Sequence, residues 1–284
     1  MRSASPLRYP GGKWRFAALF NELISQNFAK PPLYIEPYAG GGSLALSLLF
    51  DDKVSGIWLN DLDPAIHACW YAMLHDSERF CEALANIPIT IEERQKQKEA
   101  YSRGLTGGSF ALGFSTFFLN RTNHSGILNG GVIGGIAQRG TWKIDARFNR
   151  AELIRRVRRV AEYKKRIKLT CLDAGVLMKR LKRPSNCLVY LDPPYVSVGK
   201  ALYMNFYKEA DHTSMREAVG RLNRKWVVSY DNVPLVKRLY RPYRMRGVEL
   251  LHTARVAKVG NEVLFFSHDC VIPKIAKRMD GVEN

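Results

Sequence analysis

The sequence predicts an α/β protein, a Rossmann-like parallel sheet interrupted by a long and mostly helical insert. Three observations carry this. The segment Leu33-Tyr34-Ile35-Glu36, a Gly40-Gly41-Gly42 turn, a helical run over residues 43–50 and an apolar run over 54–59 read as strand, turn, helix, strand. The sheet pattern returns at residues 167–172, at Cys187-Leu188-Val189-Tyr190-Leu191 and at Trp226-Val227-Val228-Ser229-Tyr230. The tract between these two parts is polar, glycine-rich and strongly basic, and it carries no such pattern.

In chain order, Tyr9-Pro10-Gly11-Gly12-Lys13 is a glycine-rich turn, and the amphipathic run 14–28 after it reads as a helix stopped by Pro31-Pro32. Strand 33–36 ends in an acid. The glycine triplet breaks it, and Ser43 stands near the cap of the following helix. Asn60-Asp61 closes the second strand, and residues 64–74 form the next helix. Residues 89–102 read as a polar helix, 104–140 as a tract rich in Gly, Asn, Thr and aromatics, and 147–168 as a basic helical stretch. Residues 263–266 are a late strand. The expected organisation is a core of residues 1–74 and 166–284 with an insert over 75–165.

Charge narrows the partners. The 284 residues carry a formal net charge of +18, an excess that repels itself unless a polyanion neutralises it, and nucleic acid is the usual one. No run approaches the roughly twenty apolar residues that span a bilayer. Arg2 and Arg8 have no apolar stretch behind them, so no signal peptide and no membrane partner are expected. The five cysteines (69, 81, 171, 187 and 270) have neither pairing nor metal-like spacing, and the six histidines form no ligand set. A cytoplasmic protein without a metal is expected, monomeric or weakly dimeric.

The chemistry concentrates at strand ends. Glu36, Asp61 and Asp192 each stand at the carboxyl end of a candidate strand, where open parallel sheets bind their ligands. The Gly40–Gly42 turn permits close approach to the backbone, and an acid after the second strand commonly takes ribose hydroxyls. An adenosine-containing cofactor fits this set, although a GxGxxG fingerprint is absent, which argues against a nicotinamide dehydrogenase. Asp192-Pro193-Pro194-Tyr195 is more specific. Its two prolines stiffen the backbone and remove two donors, leaving carbonyls and the Asp192 carboxylate as acceptors for an amine. An aromatic amine is a poor nucleophile because its lone pair is delocalised. Acceptors on its hydrogens localise that pair for attack on a methyl sulfonium. Tyr195 offers a flat face for an extruded base, with Tyr203 and Phe206 as further stacking candidates.

Taken together and in this order, Tyr9–Lys13, Glu36-Pro37-Tyr38-Ala39-Gly40-Gly41-Gly42 and Asp192-Pro193-Pro194-Tyr195 resemble the Dam-like (D12 class) adenine-N6 DNA methyltransferases. The likeness extends to Asn60-Asp61-Leu62-Asp63, to Phe118-Leu119-Asn120-Arg121 with Ser125-Gly126-Ile127, and to residues 258–264. It implies a Rossmann-like S-adenosylmethionine-dependent core and a target-recognition insert bearing a β-hairpin. It implies a catalytic loop of Asp192, Pro193, Pro194 and Tyr195, with Tyr195 on a flipped adenine. It implies that Tyr9, Gly11, Gly12, Lys13, Glu36, Pro37, Gly40, Gly42, Asp61 and Asp192 border S-adenosylmethionine, with Lys13 near its carboxylate and Asp61 on its ribose. Around the insert hairpin, Arg121, Asn123, Ser125, Arg139 and Lys143 are the DNA candidates. His124 and Leu128-Asn129-Gly130-Gly131 depart from the family's pattern, and the tip from Gly130 to Gly135 is unusually rich in glycine. The leading Asp separates adenine from cytosine N4 and from glutamine amides, which resemblance links to Ser and Asn. RNA adenine and a catalytically silent DNA-binding module are the other readings.

Overall fold

A computed structural model describes residues 4–9, 12–181, 186–197, 207–254, 256–274 and 278–279, without the side chains of 249–261 and 278–279. Gly11, Tyr203 and Phe206 lie outside the described residues. The chain divides into two compact units. One comprises Met1–Ser3, Lys13–Asn60 and Leu172–Asn284, the other Ala4–Gly12 and Asp61–Cys171.

The first unit contains the sheet. Its elements begin with α1 (Ala17–Asn27), β1 (Leu33–Glu36), α2 (Ser43–Phe50) and β2 (Gly56–Asn60). The second unit supplies α3 (Pro64–His75), α4 (Ser77–Asn86), α5 (Ile91–Ser102), α6 (Ser109–Thr122), α7 (Arg150–Glu162) and β3 (Ile167–Thr170). The chain then returns through α8 (Ala174–Arg180), β4 (Cys187–Leu191), α9 (Glu209–Gly220), β5 (Lys225–Asp231), α10 (Pro234–Leu239), β6 (Arg244–Ala254), β7 (Val256–Phe266) and β8 (Arg278–Met279). Within the first unit the strands lie in the order β2-β1-β4-β5-β7-β6-β8. Strand β1 pairs in parallel with both β2 and β4, β4 pairs in parallel with β5, and β7 is antiparallel to β5 and β6. This is the Rossmann-like α/β sheet that the sequence predicts.

Strand order reverses between β1 and β4, the point at which a crevice opens beyond the carboxyl ends. Alternation decides what faces what. Ile35, Val189, Leu191 and Val228 join Trp226 and Phe265 in one apolar cluster. Tyr34, on the other face of β1, packs edge-on to Phe20 and stacks with Tyr190. Three features depart from the expected pattern of elements. The late strand is an eleven-residue member of the long β6–β7 hairpin. The run 14–28 opens with a 3-10 turn over Lys13–Phe16 before α1 begins. The basic stretch 147–168 divides into α7, a 3-10 turn at Lys164–Arg166 and β3.

The second unit is helical. Its middle helix, α6, buries every residue from Leu112 to Thr122, and Phe80 of α4 packs against Phe110, Phe114 and Phe117. Ser115, Thr116 and Thr122 survive there because each hydroxyl donates to a carbonyl one turn back. This unit begins at Asp61 rather than at 75, because α3 is apolar on nearly all sides and packs against α6 and α7. It also takes in Ala4–Gly12, where the Arg8 amide donates to Asn120 Oδ1 at 2.8 Å and Asn120 Nδ2 donates back to the Arg8 carbonyl at 2.6 Å. The hairpin implied for the insert is reduced to a single antiparallel bridge, Asn123 to Val132. The glycines that follow allow tight turns there instead of an extended ladder.

Candidate active site

The catalytic loop begins where β4 ends. Cys187–Leu191 is buried throughout, so the chain emerges from the core at Asp192, whose side chain is one-quarter exposed. Both carboxylate oxygens are held. Oδ1 accepts the Ser229 hydroxyl at 2.7 Å, and Oδ2 lies 3.1 Å from the Lys13 ammonium. The Ser229 hydroxyl is also 2.8 Å from the Tyr190 hydroxyl, so with Ser229 donating to Asp192, Tyr190 donates to Ser229.

The far end of the loop is held as firmly. Pro193 and Pro194 have no N–H to anchor it. The amides of Val196 and Ser197 donate to Asp231 Oδ1 and Oδ2 at 3.2 and 2.8 Å. Ser229 and Asp231 are two residues apart on β5 and therefore share a face, so one strand secures both ends of the loop. The sequence shows Asp231 only as an acid after a strand, and nothing in it points to Ser229.

Lys13 is buried, and its ammonium serves three partners. It pairs with Asp192, lies 3.4 Å from Glu262 Oε1 and sits 4.9 Å from the centre of the Tyr195 ring. Glu262 stands on β7 opposite Asp231 and is 2% exposed; burial holds its carboxyl protonated to higher pH than an ordinary glutamate. Glu36 ends β1 and is also buried. Its Oε1 accepts the Tyr34 hydroxyl at 3.0 Å, yet burial, with a smaller contribution from Asp192, pushes its pKa up to about 8. In the sequence Glu262 is one acid in an apolar run. Its only signal is that a charge at such a position needs a counter-charge from elsewhere.

Glycine shapes the turn after β1. Gly40 and Gly42 take φ of 46° and 54°, a region closed to most side chains at low cost, and Gly42 caps α2 without a side chain over the helix amides. Asn60 at the end of β2 braces the same edge. Its Nδ2 donates to the carbonyls of Pro37 and Leu172, and its Oδ1 accepts the Leu172 amide. The first unit thus brings together Lys13, Glu36, Pro37, Gly40, Gly42, Asp192, Pro193, Pro194 and Tyr195 from the expected set. Tyr9, Gly12 and Asp61 belong to the second unit; the Gly12 amide donates to the Tyr9 carbonyl, and Asp61 accepts the Asp63 amide at 3.0 Å.

The expected DNA residues of the second unit divide into two groups. Ser125, Arg139 and Lys143 are exposed. Asn123 is fully buried, with its Nδ2 on the carbonyls of Ile127 and Leu128 and its Oδ1 on Arg94 Nε, so its expected base contact gives way to a role in bracing the loop. Arg121 is nine-tenths buried, and its Nε has no hydrogen-bond partner among the described residues. Burial and the guanidiniums of Arg8, Arg156 and Arg147 all disfavour its charge, with Glu152 alone opposing them. In the basic stretch, Arg150 caps the end of α4 through the Leu84, Ala85 and Ile87 carbonyls and is not a free cation, whereas Arg155, Arg158 and Arg159 are exposed. His212, buried with Nδ1 2.9 Å from the Tyr230 hydroxyl, is structural.

Among the described residues no helix is long and apolar enough to cross a membrane, and no group of His, Cys, Asp and Glu is placed to hold a metal ion. A family profile described as D12 class N6 adenine-specific DNA methyltransferase matches residues 9–253. A type II methyltransferase, M.MjaIII of Methanocaldococcus jannaschii, is 22% identical over 221 residues, covering 72% of this chain and 73% of its own. The rRNA methyltransferase aviRa of Streptomyces viridochromogenes superposes with a TM-score of 0.41 at 13% identity, covering 91% of this chain and 85% of its own.

Proposed function

The chain belongs to the D12 class of N6 adenine-specific DNA methyltransferases, and from that premise we propose that it transfers the methyl group of S-adenosylmethionine to the N6 amine of an adenine flipped out of duplex DNA. The observation that carries the reading is the loop Asp192–Tyr195 strapped to β5 at both ends, with its acceptors held in place before any substrate arrives.

The crevice suits a cationic cofactor. Among the described residues, three carboxyls, Glu36, Asp192 and Glu262, face the ammonium of Lys13, and burial suppresses the ionisation of the two glutamates. A bound cation relieves that imbalance. S-adenosylmethionine supplies such a cation and, on its sulfonium, an electrophilic methyl group. Glu36, Pro37, Gly40, Gly42, Lys13 and Asp192 would hold it. Asp61, the residue that follows β2, and the Tyr9–Gly12 turn keep the roles that resemblance implies. Asp192 and the Pro193 carbonyl accept the amine's hydrogens and localise its lone pair. Once methylated, the nitrogen is an acidic ammonium, so Asp192 need not be a strong base to see its proton leave.

DNA as substrate is supported by the net charge and by the Arg8, Arg121, Arg147 and Arg156 cluster. A buried guanidinium ringed by three others suits a phosphate oxygen. The type II relative further suggests that this chain protects DNA within a restriction–modification system. The direct test supplies labelled S-adenosylmethionine with unmethylated genomic DNA or structured RNA and identifies the modified nucleoside. N6-methyladenine in DNA is expected. N4-methylcytosine, label confined to RNA, or no transfer would overturn the reading.

Glu36 gives a second test. With its pKa near 8 it is mostly protonated at pH 7, whereas the unfolded side chain ionises near 4.5. Through this group the free protein loses stability as pH rises from about 4.5 to about 8 and is unaffected above that range. A bound cation favours the carboxylate, so at pH 7 cofactor binding is expected to release up to about one proton. Titration calorimetry in buffers of different ionisation enthalpy measures it. The Glu36 share of the release falls away above about pH 9 and is lost in Glu36→Gln, which keeps only what the buried Glu262 contributes; an unchanged release in that variant would remove Glu36 from the cofactor site.

A further inference from the structure

The glycine-rich tract of the second unit ends in a loop that holds two large apolar side chains in water. Ile136 is 79% exposed and Trp142 is 63% exposed, the two most exposed large apolar side chains among the described residues. The same loop buries Ile133 and Ile144 to 6% and 5%, so its apolar residues are sorted into anchors and protrusions.

The protrusions are held in place at a cost. Gly134, Gly135 and Gln138 take φ of 86°, 73° and 48°, the last of these unfavourable for a side chain that is not glycine. Gln138 ties the loop from within. Its Nε2 donates to the carbonyls of Ile133 and Gly135 at 2.8 and 2.6 Å, and its Oε1 accepts the Ile144 amide at 2.8 Å. Its own carbonyl accepts the Lys143 ammonium, and the Gly140 amide closes onto the Gly134 carbonyl. A loop cross-linked in this way does not present Ile136 and Trp142 through disorder. Exposed apolar groups fixed like this mark a contact surface.

The surroundings say what the contact is. Arg139, Lys143 and Arg147 lie within the same dozen residues, with Asp145 the single acid, and the Arg147 guanidinium is 5.6 Å from the Trp142 ring centre. The cationic collar attracts an anionic partner and the apolar tip needs apolar surface to enter, and duplex DNA, a polyanion with a stacked apolar interior, offers both. Its phosphates meet the collar, and its stacked bases accept a wedge. We propose that the Gln138-tied loop is a preformed wedge that inserts Ile136 or Trp142 into the base stack of duplex DNA, lowering the cost of extruding the target base. This rests on the DNA reading above and adds the part that opens the helix.

Tryptophan fluorescence tests it on the full chain. Of the five tryptophans, Trp58, Trp70 and Trp226 are buried to 6% or less, so the difference between the wild type and Trp142→Phe isolates Trp142. Sheared genomic duplex DNA, added with S-adenosylhomocysteine to prevent turnover, is expected to quench Trp142 and shield it from acrylamide. Ile136→Ser with Trp142→Ser is expected to weaken methyl transfer at limiting DNA by about tenfold or more, since stacked contacts of this size are worth about that factor. The salt dependence of DNA binding should stay unchanged, because no cation is removed. Arg139→Ala and Lys143→Ala should lower the salt slope instead. A serine pair that binds and methylates DNA like wild type, or a Trp142 signal that answers to structured RNA but not to duplex DNA, would overturn the wedge. Failure of the wild type to bind duplex DNA at all would instead sink the DNA reading itself.

Discussion

Replacing Asp192 with alanine is expected to lower single-turnover methyl transfer by about a thousandfold or more while the protein stays folded. The loss follows from what the side chain does. It is the ionisable acceptor of the loop, and each of its oxygens is already aimed, one by Ser229 at 2.7 Å and one by Lys13 at 3.1 Å. Removing one preorganised polar group from a reaction centre typically costs about 10²–10³ in rate, and here the amine also loses the acceptor that exposes its lone pair. Folding survives for an equally specific reason. Asp192 is partly exposed, and Lys13 keeps Glu262 as a counter-charge when Asp192 is gone. Calorimetric cofactor binding should stay within about tenfold of wild type, since one of three carboxyls has been removed from a site that holds a cation. Asp192→Asn keeps the shape and one acceptor, so it should fall between the two. Transfer by Asp192→Ala within threefold of wild type would remove Asp192 from the chemistry.

That prediction could be framed from the sequence, because Asp192–Tyr195 is a local signal: a fully apolar strand running into an acid and two prolines has few structural uses. Strands β1, β2, β4 and β5 were legible for the same reason, since buried parallel strands read as short apolar runs. Helix α6 was not. It is surrounded by other elements, so it has no polar face, and its glycine, serines and threonines look like loop residues until their hydroxyls are seen to bond one turn back. Strand β6 was hidden because Arg244, Met245, Arg246 and Gly247 are all exposed, so the first part of this partner of β7 carries no buried apolar face. At the site, the sequence pointed to residues that stand in a local motif and passed over those that act only through distant partners. Ser229, Asp231 and Glu262 matter through partners 37, 35 and 249 positions away in sequence, and no local pattern records such distances.

The Lys13–Glu262 pair shows what such a partnership is worth. Lys13→Met keeps the length and apolar stem of the side chain and deletes only its charge. It is expected to destabilise the protein by about 2–3 kcal/mol at neutral pH, less than the roughly 3–5 kcal/mol of a stranded buried charge because the Glu262 carboxyl can take up a proton instead. Glu262, 2% exposed, is the member that loses its counter-charge inside the protein, whereas Asp192 can turn toward solvent. The pH dependence identifies the cause. Burial already raises the pKa of Glu262 in the wild type, and loss of the ammonium raises it further. The carboxyl then stays neutral to higher pH than in the wild type, so the penalty shrinks as pH falls and is largest at alkaline pH. Adding Glu262→Gln to Lys13→Met should restore most of the stability, giving a coupling of about 1–3 kcal/mol in a double-mutant cycle followed by urea denaturation. It should not restore methyl transfer, because the cation that faces Asp192 and Tyr195 is still missing. Additive effects in the cycle would mean that Glu262 does not depend on Lys13. Recovery of full activity in the double variant would mean that the ammonium serves the fold and not the cofactor.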